Sequence, residues 1–277
     1  MKNVLVLGGT GKTGRRVVEK LQQRGFNVRI GSRGATPKFD WEDTSTWSEA
    51  LEGIDSVYIT YQPDLAVPGA KEAIEGLTKE AKNQGVQKLV LLSGKGEREA
   101  ELCEEIVKNS GLDYTIVRAS WFSQNFSESF FLEPIQHGFV ALPLADTNVP
   151  YVDADDIAEV AAEALTNQMH NGEIYELTGS QFFTFRQVIQ EIAKVTDREI
   201  VFTEVSVEEY TQMLKEYGVP EGYVWLIGYL FTEVLDNEDN QVMTYDVEKV
   251  LRRKPKLFLD FVKETAKTGI WNQKVEA

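Results

Sequence analysis

The chain opens on a strand, a glycine turn and a helix, and that order constrains its fold more than any other feature. Val4-Leu5-Val6-Leu7 is short and apolar, the pattern of a strand buried on both faces. Glycines follow at Gly8, Gly11 and Gly14, and a helix-period pattern then begins at Arg15-Arg16-Val17-Val18. Each glycine has a task if a dinucleotide binds here. Gly8 lets the chain turn off the strand, Gly11 leaves room for a pyrophosphate against the backbone, and Gly14 lets the helix pack close to the sheet. The amides and dipole of a helix start favour an anion at that point. Thr10, Lys12 and Thr13 complete the loop and belong to the same expected cofactor site. A loop for nucleoside triphosphates is excluded, because it needs a glycine where Val6 stands.

Alternation sets the fold class. Helix 11–24, strand 27–31, a short strand around Lys38-Phe39-Asp40-Trp41, helix 44–52 and strand 56–60 come first. Helix 67–83, strand 88–93, helix 97–110 and strand 114–118 follow. This βαβ succession predicts an α/β fold: a Rossmann-type, doubly wound parallel sheet whose ligand crevice lies beyond the strands' carboxyl ends. Asp153 begins another helix, whose dipole Asp155 and Asp156 suit, and Ile174–Leu177 reads as a strand returning to the sheet. Helices at 184–195, 206–217 and 256–267 complete the pattern. The expected division is a dinucleotide-binding domain over 1–179 and a smaller, mostly helical lobe over 180–277 that covers the crevice.

Charge separates the possible partners. With 29 Lys+Arg against 44 Asp+Glu the chain carries −15, which argues against nucleic acid and anionic membranes and leaves a small molecule as the expected partner. Residues 1–38 run the other way, with nine Lys/Arg and a single acid, Glu19. Arg16, Lys20 and Arg24 read as solvated on the first helix. Arg33 reads differently. An acid at the second strand's exit would hold the ribose hydroxyls of NAD, whereas Ser32 and Arg33, with Lys38 nearby, suit the 2′-phosphate of NADP. NADP is therefore expected over NAD. One cysteine, Cys103, suits a reducing, cytoplasmic compartment and reads as a buried small hydrophobe. His137 and His170 have no ligand spacing, so no metal site is expected.

These motifs resemble, in order, the NmrA-like branch of atypical short-chain dehydrogenases/reductases. The residues that carry the resemblance are Gly8–Gly14, Phe39-Asp40-Trp41, Leu91-Leu92-Ser93 and Arg118–Phe126, with Val152–Ala158 and Tyr175–Gly179. Phe258-Leu259-Asp260-Phe261 and Trp271 make the chain most similar to the festuclavine/agroclavine dehydrogenases within that branch. The resemblance implies an NADP-binding reductase, with Asp40 and Trp41 near the adenine and Tyr61, Gln62 and Pro63 lining the cofactor.

The usual acid of such enzymes is absent from its place. A Tyr-x-x-x-Lys pair is expected on the helix after the strand ending in Ser93, yet 97–105 holds no tyrosine. Tyr245 and Lys249 have that spacing but lie in the distal part of the chain, as a coincidence. Ser93 is thus the candidate catalytic residue as well as a cofactor contact, with Lys95 an outside candidate. Trp121, Phe122, Asn125 and Phe126 are the expected substrate-binding residues, just past a strand's carboxyl end. Two functions remain open: a reductase of activated acceptors (iminium, quinone or enone), and an NADP(H)-sensing regulator without turnover. A third, a carbonyl reductase or epimerase with a substitute acid, is the weakest because no acid is well placed.

Overall fold

The computed structural model describes residues 2–272. In chain order, β1 (Asn3–Leu7), α1 (Gly14–Gln23), β2 (Asn27–Gly31), α2 (Trp47–Leu51) and β3 (Ser56–Ile59) come first. Next are α3 (Ala70–Asn83), β4 (Lys88–Gly94), α4 (Arg98–Lys108), β5 (Asp113–Ala119), α5 (Leu132–His137) and β6 (Phe139–Leu142). The remainder comprises α6 (Ala154–Thr166), β7 (Glu173–Leu177), α7 (Phe185–Thr196), β8 (Val201–Glu204), α8 (Val207–Glu216), α9 (Glu221–Tyr229), α10 (Asp246–Leu251) and α11 (Phe258–Lys267).

Six strands form one sheet in the order β2-β1-β3-β4-β5-β7, each pair parallel. The chain steps outward from β1 to β2 and then back past β1 to β3, so the strand order reverses at β1. Crevices for ligands open at such reversals, beyond the carboxyl ends. The central strands are apolar on both faces because both faces are covered. α3 and α4 pack together over one face, where Leu5, Ile59, Leu91, Ile74 and Cys103 share a core. α1 and α6 pack together elsewhere on the sheet. There Arg16 pairs with Asp155 at 2.9 Å and Arg24 with Glu163 at 2.8 Å. These cations are therefore not simply solvated. Asp156, fully buried, pairs with Arg253 at 2.8 Å, so the first-turn acids of α6 serve ion pairs besides the helix dipole.

The contacts do not divide the chain by a single cut after 179. One compact unit takes in the chain up to Ala119, Ala154–Leu177 and Asp246–Arg253. The other takes in Ser120–Asp153, Thr178–Tyr245 and the chain from Lys254 on. The first unit holds the six-stranded sheet. The second is mostly helical but also has a two-stranded parallel sheet, β6 with β8. Its core gathers Phe126, Phe131, Tyr151, Phe185, Phe231 and Trp271.

The short strand expected at 38–41 does not form. Pro37 has no amide to donate, and the Trp47 indole donates to the Asp40 carbonyl at 2.7 Å, folding the segment back on itself. A single bridge between Asp40 and Asp43 is all that remains of strand pairing there.

Candidate functional site

The glycine loop has the geometry its spacing predicts. Gly8 sits at φ +63°, a left-handed conformation that turns the chain off β1, and its amide donates to the Gly31 carbonyl at 2.9 Å. A Cβ on Gly14 would fall 2.1 Å from the Gly8 carbonyl oxygen, so only glycine lets α1 start so close to the turn. At Gly11 the nearest atom to an added Cβ is that same oxygen, at 3.2 Å, with open space otherwise. The first turn of α1 carries no acid to compete with an anion. Thr10 is exposed and Lys12 half-buried, whereas Thr13 is turned inward: its hydroxyl accepts from Tyr58 at 3.0 Å and does not cap the helix. A loop whose glycines leave backbone open on one side and bear no side chain on the other fits a dinucleotide phosphate.

At the exit of β2, Ser32 is half-buried and Arg33 exposed. The structure adds an acid that spacing alone does not place there. Lys38 pairs with Asp40 at 3.0 Å, and Arg33 and Lys38 together hold the Asp40 carboxyl below its usual range, the Lys38 hydrogen bond being the largest cause. Lys38 is therefore committed to Asp40, and Arg33 is the cation left facing solvent at this exit. Trp41 meets the Tyr61 ring edge-on at 4.9 Å, so these two residues, twenty apart in the chain, line one surface with exposed Gln62 beside them. Burial pushes the Tyr61 phenol up.

Ser93 does not stand where a substrate-facing donor would. It lies inside β4, buried, and its hydroxyl donates to Glu104 of α4 at 2.7 Å. Arg118 of β5 grips the same carboxylate through Nε and Nη2, at 2.9 and 2.7 Å. Ser93 thus belongs to a buried structural network, which removes the basis for a catalytic role. Lys95 is buried, with its amide on the Ala119 carbonyl. Cys103 is buried with its thiol pushed up to about 11, chiefly by desolvation, as befits a small hydrophobe. Tyr245 is an exposed side chain, while Lys249 pairs with Glu173 at 3.4 Å, so nothing joins them as a catalytic pair.

A pair of carboxyls that sequence reading passes over lies at the ends of β3 and β4. Asp64, two residues past Gln62, and Glu97, three past the end of β4, are hydrogen-bonded to one another. The Asp64 carboxylate also accepts from the Ala66 amide at 2.9 Å. Glu97 is buried, and burial together with the Asp64 charge raises its carboxyl well above the usual range. Its seat exists because Gly94 has no side chain: a Cβ there would fall 1.8 Å from the Glu97 Oε1.

In the second unit the four expected substrate residues separate. Phe126 is fully buried, its carbonyl accepting from the Trp271 indole at 2.7 Å, so it is core and not lining. Trp121, Phe122 and Asn125 are half-buried. Trp121 lies 6.1 Å from Phe131 in a stacked arrangement, meets Phe185 edge-on at 5.7 Å and lies 5.6 Å from Phe231, so three rings of the core pack against its indole.

A family profile described as NAD(P)H-binding matches residues 8–168, more than half of the chain. The chain belongs to the NAD(P)H-binding family. The match begins at the first glycine of the loop, and with it the chain is an NAD(P)H-dependent oxidoreductase of the atypical short-chain type. Prestalk A differentiation protein A of Dictyostelium discoideum is 29% identical, over 95% of this chain and 92% of that protein. Festuclavine dehydrogenase easG of Aspergillus fumigatus is 27% identical, over 94% of this chain and 97% of that protein. The fold of an NADPH-dependent quinone oxidoreductase from Escherichia coli, solved with NADPH, superposes with a TM-score of 0.78 at 19% identity, covering 94% of this chain and 99% of that one. Among the described residues no group of metal-binding side chains occurs, and no helix is long and apolar enough to cross a membrane.

Proposed function

We propose that this member of the NAD(P)H-binding family is an NADPH-dependent reductase that passes hydride to an activated small molecule without a Tyr-x-x-x-Lys pair. The observation that carries the reading is the fate of Ser93. Its hydroxyl is spent on Glu104, and α4 brings no tyrosine beside it. An iminium already carries its positive charge and needs no proton when hydride arrives, and a quinone can take protons from water afterwards. Either tolerates the loss, because positioning and electrostatics supply most of the barrier reduction.

The cofactor supplies the hydride. The chain's own residues bind and orient: Gly8, Thr10, Gly11, Lys12, Thr13 and Gly14 around the phosphates, with Trp41, Tyr61 and Gln62 along the adenosine side. Thr13 and Gly14 contribute backbone only, since the one hydroxyl faces Tyr58. Trp121, Phe122 and Asn125 offer a flat apolar surface and one polar group to the acceptor. The neighbours named for festuclavine and for quinone lend the acceptor class support by likeness.

NADPH is the expected cofactor, since Ser32 and exposed Arg33 follow β2 and the nearby acid Asp40 is neutralised by Lys38. A charge-assisted contact to a 2′-phosphate contributes roughly 1.5–3 kcal/mol. Arg33→Ala should therefore weaken NADPH binding about ten- to hundredfold and leave NADH binding where it was. Equal affinity of the wild type for both cofactors, by calorimetry, removes the assignment.

The activity itself is tested with a panel of acceptors under saturating NADPH: N-methyl dihydroisoquinolinium, a benzoquinone and cyclohexenone, with cyclohexanone as the plain ketone. Turnover is expected with activated acceptors and little with the ketone, which needs a proton donor at oxygen. Trp121→Ala should lower turnover while sparing NADPH affinity, and Tyr245→Phe should change nothing. Tight cofactor binding with no turnover on any acceptor would move the reading to an NADP(H) sensor.

A further inference from the structure

The carboxyl ends of three neighbouring strands meet a continuous run of residues in the first unit. The Gly8 turn follows β1 and touches Thr60, whose Cγ2 lies 2.7 Å from where a Gly8 Cβ would stand. Thr60 leads into Tyr61, Gln62 and Asp64, and Asp64 meets Glu97, whose carboxyl is seated on Gly94 at the end of β4. The acid pair thus borders the carboxyl edge of the sheet, beyond which ligands bind in open α/β sheets. Ser93 is turned away from that edge and into Glu104.

We propose that the Asp64–Glu97 pair holds the proton that this enzyme gives to acceptors needing one. The proposal rests on the reductase reading above and extends it to acceptors, such as enones, that an enzyme without a donor would serve poorly. The two partners are not equivalent. Burial raises the Asp64 carboxyl, but it accepts hydrogen bonds from the Ala66 amide and from Glu97, and both favour its carboxylate. Glu97 is buried, sits against that anion and donates to it, so the shared proton resides on Glu97. Other charges around Glu97 come from α4: Glu99, and Glu104, which Arg118 neutralises from β5. Cys103 of the same helix faces Asp64 and Glu104, with Glu72 and Lys71 of α3 behind it. Asp64, Glu99 and Glu104 oppose ionisation of Glu97. Burial raises both carboxyls and the Asp64 charge raises Glu97 further, which splits the pair and leaves Glu97 the stronger holder of the proton.

The step balances. Hydride reaches the β-carbon of the enone from NADPH, which is oxidised, and the π electrons move to oxygen. The Glu97 O–H bond breaks, its proton goes to that oxygen, and the enol formed reverts to the saturated ketone. Glu97, left as carboxylate, regains a proton from water by way of Asp64.

Cyclohexenone and N-methyl dihydroisoquinolinium separate the cases, since only the first needs the proton. Glu97→Gln keeps the shape and a hydrogen-bond donor toward Asp64, so it should fold and bind NADPH within about twofold of wild type. It should lower turnover of the enone about a hundredfold, the scale of general acid catalysis, and leave the iminium within about twofold. In the wild type the enone rate should fall as pH rises through the ionisation of Glu97. Asp64→Asn removes the opposing anion and should move that fall to lower pH, a shift that a merely structural role would not produce. A readout without turnover accompanies these. Infrared spectra of the cofactor-free protein at neutral pH should show a protonated-carboxyl band that titrates away on raising pH and is missing in Glu97→Gln.

Reduction of both acceptors by Glu97→Gln at wild-type rates overturns the inference and leaves the reductase reading standing. So does a wild type that reduces the iminium but not the enone, or one that lacks the infrared band. Failure of the wild type to reduce the iminium, the enone and the benzoquinone alike overturns both.

Discussion

Gly14→Ala is expected to cost this protein at least about 3 kcal/mol of stability, whereas Gly11→Val should leave the fold nearly intact and abolish NADPH binding. The difference comes from what stands beside each glycine. A methyl on Gly14 would meet the Gly8 carbonyl oxygen at 2.1 Å, its carbon at 2.6 Å and the Gly9 Cα at 2.9 Å. All three are backbone, held by the Gly8–Gly31 hydrogen bond and by the Gly11 amide on the Gly8 carbonyl, so none can give without moving α1 off the sheet. Overpacking against flexible side chains costs about 1–3 kcal/mol, and a rigid neighbour raises that. Gly11 meets only one atom, at 3.2 Å, and otherwise faces open space. A branched side chain there occupies the room proposed for the pyrophosphate. A loss of NADPH affinity of at least about a hundredfold, some 2.7 kcal/mol, should follow. Urea unfolding and calorimetry on both variants separate the effects. A Gly11→Val protein that binds NADPH as wild type does would mean that the pyrophosphate lies elsewhere.

That contrast also shows which parts of the fold were legible in the chain. Strands buried on both faces read as unbroken apolar runs, so β1, β3, β4 and β5 lie within a residue or two of their expected places. The glycine triplet read correctly because its spacing encodes backbone contacts rather than side-chain partners. Other elements carry weaker signals. β6 is four residues long, and β8, which it pairs with, is mostly exposed. Nothing periodic marks either until they are paired across sixty residues of chain. The segment 38–41 looked like a strand from its aromatic residues, but those aromatics pack on one another: Phe39 with Trp41 at 5.0 Å and with Trp47 at 5.9 Å. A local run cannot reveal that it satisfies its own rings.

The site was legible to the same depth. The backbone geometry of the loop Gly8–Gly14 was legible from its spacing, and so was the place of Ser32 and Arg33 just past β2. What failed were judgements about where a single side chain points. Ser93 ends a run typical of such enzymes, yet the residue that decides its role, Glu104, lies eleven positions on and belongs to a helix turn. Phe126 reads like its neighbours Trp121 and Phe122 but turns inward to meet Trp271. Asp64 and Glu97 were invisible because neither belongs to a motif. Only the return of two strands to adjacent places in the sheet brings them together. The nearest sequence signal is Gly94, a glycine at a strand end whose missing side chain leaves room for the Glu97 carboxyl.

Arg118→Met should lower stability by about 3–5 kcal/mol, the other large effect expected of a single change here. Glu104 is buried almost completely, and a carboxylate taken out of water must be compensated by partners in good geometry. Arg118 supplies most of that, with its Nε and Nη2 on the two carboxylate oxygens, and Ser93 adds one neutral hydrogen bond. Methionine keeps the aliphatic stem and removes the charge, leaving Glu104 with the serine hydroxyl. Breaking one side of a buried pair costs far more than replacing both. The double variant Arg118→Met/Glu104→Gln should therefore recover much of the loss, and a double-mutant cycle in urea measures the coupling. Ser93→Ala takes away only the third partner and should cost about 1–3 kcal/mol while leaving turnover of an iminium acceptor unchanged. If Ser93→Ala instead abolished turnover with stability intact, the hydroxyl would be working on the substrate and not on Glu104. A loss below about 1 kcal/mol in Arg118→Met would mean that the Arg118–Glu104 contact contributes little, and the account of this network would have to be redrawn.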